Sequence, residues 1–63
     1  MRNVVNAIRA QANDARTWYF DYEPAATPGR RRIIAVRKSG ERVFCGTAKN
    51  ARWLVGRHWN RRR

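Results

Sequence analysis

A single cysteine, Cys45, and a single histidine, His58, occur in the chain. One thiol closes no intrachain disulfide, so nothing requires an oxidising compartment and a reducing cytoplasm is the expected setting. The same scarcity excludes a zinc site of four Cys or His ligands, and neither a metal nor a cofactor is expected. Acids are few as well. Asp14, Asp21, Glu23 and Glu41 are the four present, and no pair is read as having the helical or strand spacing that brings two acids together for catalysis. Long apolar runs are missing too: none approaches the roughly 18 residues that span a bilayer, and the first residues lack the apolar block of a signal peptide. No catalytic residue is expected. His58 falls on an apolar helical stripe and Cys45 within a strand, where both are simplest as packing, and so short a chain encloses little pocket.

What the sequence has in excess is positive charge. Fifteen Lys and Arg against four Asp and Glu give a net charge of +11, enough to repel itself in a compact state and to attract a polyanion. Thirteen of the fifteen are Arg, whose planar fork matches phosphate in a bidentate way and stacks on bases. The charge is uneven. Arg2, Arg9 and Arg16 are balanced by Asp14, Asp21 and Glu23, whereas the twelve cations from residue 30 onward face only Glu41. At 63 residues the chain is expected to be one nucleic-acid-binding domain, residues 1–63, burying only about 60% of its unfolded surface. Its seven aromatics, Trp18, Tyr19, Phe20, Tyr22, Phe44, Trp53 and Trp59, are expected to supply much of the core.

The pattern predicts an amphipathic helix over residues 2–16, with Val4, Ile8 and Ala15 on one stripe and Arg9 opposite. Trp18, Phe20 and Tyr22 alternate with Tyr19 and Asp21 in a predicted strand over 17–22. Glu23 to Gly29, with two prolines and a glycine, is predicted as a loop. A hairpin follows, Arg30–Lys38 and Glu41–Gly46 around a glycine turn. Thr47 is placed to cap a last helix in which Ala48, Ala51, Leu54, Val55 and His58 make the apolar stripe. The expected fold is α+β, a helix, a three-stranded antiparallel sheet and a helix in the order α-β-β-β-α.

Trp53 falls opposite that stripe, between Lys49 and Arg57, with Asn60 on the same face. An exposed indole among cations is suited to stacking or wedging against a nucleic acid, or to cover by cation stems. Arg30, Arg31 and Arg32 open the hairpin, and Arg37, Lys38 and Arg42 surround its tip. With Lys49, Arg52, Trp53, Arg57, Arg61 and Arg62 they form the candidate nucleic-acid-binding set. Individual cations on an edge strand also guard against aggregation.

The segment Gly46-Thr47-Ala48-Lys49-Asn50-Ala51-Arg52 resembles a shortened start of the second helix of double-stranded-RNA-binding domains. That resemblance implies phosphate contacts by Lys49 and Arg52, with the loop before Arg30 and Arg2 or Arg9 reaching minor grooves. Arg42-Val43-Phe44-Cys45-Gly46-Thr47 is similar to the third strand of ethylene-response-factor domains, and recombinase arm-binding domains share that arrangement of sheet and helix. There the open sheet face reads the major groove, which would make Arg30, Arg32, Arg37 and Arg42 the readers. The first expectation is a regulatory or accessory protein on double-stranded DNA, the second a structured-RNA binder. An acidic protein partner, an anionic membrane surface for the Trp- and Arg-rich end, and a homodimer are the other partners the composition allows.

Overall fold

The computed structural model describes residues 3–59; Arg2, Asn60, Arg61, Arg62 and Arg63 lie outside the described residues. Five elements run α1 Val4–Ala12, β1 Thr17–Pro24, β2 Arg31–Arg37, β3 Arg42–Ala48 and α2 Ala51–His58. The strands form one antiparallel sheet in the order β1-β2-β3, and both helices pack against one face of it. The expected α-β-β-β-α order is the observed one.

Helix α1 begins at Asn3, whose side chain accepts the Val5 N–H at 2.9 Å, satisfying one of the donors a helix start leaves open. It ends at Ala12, short of the predicted residue 16. The Asp14 carboxylate takes the Arg16 N–H at 2.9 Å, a local turn that competes with continued helix. Ala15 is therefore exposed and does not join the predicted apolar stripe.

Strand β1 carries a bulge between Thr17 and Tyr19. The extra residue breaks the two-residue alternation, so Trp18 does not join Phe20 and Tyr22 on the helix side; it is 62% exposed with its ring edge-on to Tyr19. β1 also runs further than predicted. Glu23 pairs with Arg32 and Pro24 with Arg31, a place proline tolerates because β1 is an edge strand.

The core is small and mostly aliphatic: Ile8, Phe20, Ile33, Ala35, Cys45, Ala48, Ala51 and Val55, with Tyr22, Leu54 and Trp59 at its margin. Trp59 meets Phe20 edge to face at 5.2 Å. The aromatics thus supply less of the core than expected: Phe20, Tyr22 and Trp59 contribute, whereas Trp18, Tyr19, Phe44 and Trp53 are exposed.

A second bulge lies opposite Ile33 and Ile34, around Cys45 of β3. Beside it Gly46 has φ +139°, and a β-carbon there would come 2.8 Å from Val4 Cγ2. The glycine lets α1 settle directly on β3. β3 continues to Ala48, so Thr47 is a strand residue and not the helix cap. Asn50 occupies that position and makes no side-chain capping bond.

Gly46→Ala is expected to cost about 1–3 kcal/mol from its backbone conformation, with overpacking against Val4 added. Gly56→Ala, in the middle of α2 with open space around its β-carbon, should gain about 0.5–1 kcal/mol. Thermal unfolding of the two variants checks both signs.

Candidate nucleic-acid interface

The few carboxylates sort the cations into engaged and unengaged groups. On the sheet face away from the helices, Tyr19, Asp21 and Glu23 of β1 lie beside Arg32, Ile34 and Val36 of β2, then Arg42 and Phe44 of β3. Arg42 Nη2 donates to Glu23 Oε2 at 2.8 Å and to Asp21 Oδ2 at 3.2 Å. These carboxylates sit two strands away, so the Arg42 side chain crosses β2, and its stem covers apolar surface in the way long cationic side chains do. Ile34 and Val36 are only 4% and 5% exposed on that otherwise open face. Arg32 stands 3.6 Å from Glu23 and lies over the Phe44 ring at 4.3 Å. Two arginines thus meet two acids. Asp21 and Glu23 do share a face, contrary to the sequence expectation, because β1 extends through Glu23.

At the β2–β3 turn, Arg37 is 9% exposed and points to the helix side. Its Nη2 donates to Gln11 Oε1 at 3.3 Å and stands 3.7 Å from Asp14, while its Nε is 3.7 Å from Glu41. Buried among these partners, Arg37 ties α1, the α1–β1 connection and the turn together; it is not the surface cation that the sequence suggested. Asp14 also binds Arg16 at 2.9 Å. Lys38 is exposed at the tip, and its backbone N–H donates to the Arg16 carbonyl at 2.9 Å.

Arg30, Arg31, Lys49, Arg52 and Arg57 pair with none of the four acids among the described residues. Four of them gather at the end of the sheet opposite that turn. Arg31 is paired with Ala48, immediately before Lys49, and Arg30 Nη2 donates to the Thr47 carbonyl at 3.1 Å. Arg30 also closes the β1–β2 loop by taking the Ala25 N–H on its carbonyl at 3.3 Å. Arg52, in the first turn of α2, stacks over Tyr22 at 4.5 Å. Further along α2, Arg57 lies over Trp53 at 5.1 Å, and the indole remains 57% exposed. Lys49 precedes the helix and so does not flank Trp53 as a helical neighbour.

The first turn of α2 holds no acid, so its open N–H groups and the helix dipole add to the positive field of this end. Among the described residues no acid forms an ion pair with its four cations. Cys45 takes no part: it is buried under the sheet, and burial raises its thiol above the ordinary value, which keeps it protonated and unreactive. His58 is half-buried at the end of α2. Among the described residues no three His, Cys, Asp or Glu side chains could hold a metal ion, and no helix is long and apolar enough to cross a membrane. No protein-family model, curated protein or solved structure matches the chain.

The Arg16 side chain and backbone N–H hold the Asp14 carboxyl down at about 2, below its ordinary 3.8. The folded chain therefore takes up this proton less readily than the unfolded one. The contribution is fully present above pH 3.8 and disappears as pH falls toward 2. Asp14→Asn should flatten the decline of melting temperature across that window; an unchanged acid limb would contradict the assignment.

Proposed function

We propose that this protein binds duplex nucleic acid, double-stranded DNA first, in a regulatory or accessory role. It grips phosphates with the end of the domain where the β1–β2 loop, the start of β2 and the start of α2 meet. One observation carries this: the acids are engaged by Arg16, Arg32, Arg37 and Arg42, while Arg30, Arg31, Lys49 and Arg52 share one end with none. Arg52 and Arg57 are already stacked on Tyr22 and Trp53, which reduces the side-chain entropy lost when a phosphate orders them.

The arrangement favours backbone contact over strand-in-groove readout. Arg32 and Arg42, which a major-groove sheet would need, are held by Glu23 and Asp21, and releasing them would leave Ile34 and Val36 less covered. Duplex RNA is the second reading. The observation favouring it is that the β1–β2 loop and the start of α2 converge, and these are two of the contact regions implied by the resemblance to double-stranded-RNA-binding domains.

Titration against duplex DNA and duplex RNA over a range of salt tests the proposal. Log affinity for DNA should fall with log salt at about 0.9 per phosphate, with roughly four to six contacts. Arg30→Ala, Arg31→Ala, Lys49→Ala and Arg52→Ala should each lower the slope by about one. A flat salt response would overturn the proposal and move weight to an acidic protein partner.

Two further variants separate fold from binding. Arg37→Ala should cost about 1.5–3 kcal/mol of stability through its lost hydrogen bond to Gln11 and its ion pairs with Asp14 and Glu41, while leaving the salt slope unchanged. Trp53→Ala should do the reverse, losing about 1–3 kcal/mol of binding with little change in melting temperature.

A further inference from the structure

We infer that the outer face of the sheet is a contact surface for a second copy of this chain. Three observations on that face, all separate from the phosphate-binding end, lead there.

The first is charge. Two bodies of +11 repel each other wherever their surfaces carry unopposed cations, and like charges brought together across an interface cost several kcal/mol. The outer face is where Arg32 and Arg42 are matched by Asp21 and Glu23. A second copy can approach there without meeting net charge. A polyanion, conversely, finds no net attraction on it.

The second is the placement of exposed rings. Tyr19 is 41% exposed and Phe44 51% exposed; they belong to this face and sit on opposite edge strands, β1 and β3. Trp18, 62% exposed, leans edge-on against Tyr19. Aromatic side chains and arginine are the groups that anchor specific interfaces.

The third is self-complementarity. The acids lie on β1, and Arg42 and Phe44 lie on β3. A two-fold axis parallel to the strands sets β1 of one copy over β3 of the other, as an isologous interface requires. The strand register then sets Tyr19 of one copy over Arg42 of its mate and Asp21 over Phe44, with Glu23 over Thr47. Ion pairs now closed within one chain can then be shared between two.

The face is small. Three strands about 4.8 Å apart and seven residues of about 3.3 Å each span roughly 14 by 23 Å, below the standard size of a specific interface and in the range of weak, transient ones. Association should accordingly be weak, with a dissociation constant on the order of tens of micromolar.

Sedimentation equilibrium of the free protein over a wide concentration range is the test. The expected result is a reversible monomer–dimer equilibrium, weakened at least about tenfold by Phe44→Ser and by Tyr19→Ser and unchanged by Trp53→Ala. Melting temperature is measured alongside, and if Phe44→Ser unfolds, Tyr19→Ser decides. A chain that stays monomeric up to about 1 mM overturns the inference, as does a dimer indifferent to Tyr19→Ser. Because Tyr19 lies away from Arg30, Arg31, Lys49 and Arg52, its substitution leaves the salt slope per protomer on duplex unchanged, so failure here is distinguishable from failure of the proposed function.

Discussion

The side chain of Arg42, laid across β2 to reach Asp21 and Glu23, is the interaction on which the rest of the surface depends. A domain with two helices on one sheet face leaves the other face bare, and β2 is apolar on both sides, with Ile33 and Ala35 facing in and Ile34 and Val36 facing out. The stem of Arg42 helps to cover the outward pair, and its guanidinium joins the outer strands through ion pairs. Exposed ion pairs contribute little individually, a few tenths to about 1 kcal/mol each. Their larger consequence is spatial: with only four acids in the chain, engaging two of them here fixes where positive charge remains unopposed.

Arg37 makes the complementary choice on the helix side. A guanidinium 9% exposed is costly unless partnered, and Asp14, Glu41 and Gln11 supply partners from two connections and a helix. The remaining acids are thereby used at the turn. The opposite end of the sheet is left with Arg30, Arg31, Lys49 and Arg52, so the asymmetry of the cationic surface follows from the placement of carboxylates.

A small core explains how aromatics become available at the surface. Ile8 and Ile33 are the largest fully buried side chains, and Gly46 brings α1 so close to β3 that the interior has little room for indoles. The bulge at Trp18 and the phase of α2 at Trp53 then place two of the three tryptophans outside. Exposed rings on so cationic a chain suit contact with bases, guanidinium groups or another copy, each of which uses the ring face.

Much of this was legible in the chain itself. Residue order and period set the α-β-β-β-α succession, because a 3.6-residue stripe marks the Val4–Ile8 and Ala51–Val55 segments as helical, and β-branching with the glycine turn after it marks the run Ile33–Val36 as a strand. The glycine turn at Gly40, the packing role of Cys45 and the exposure of Trp53 were local enough to read as well. What tertiary structure alone decided was pairing between distant positions: which Arg meets which acid, that Glu23 belongs to β1, that Thr47 stays in β3, and that Arg37 is buried while Arg52 stacks on Tyr22. A sequence specifies charge and period, which are properties of single positions and near neighbours. Arg42 with Glu23 and Arg37 with Gln11 are engaged by groups 19 and 26 residues away, and only the closed sheet brings these together.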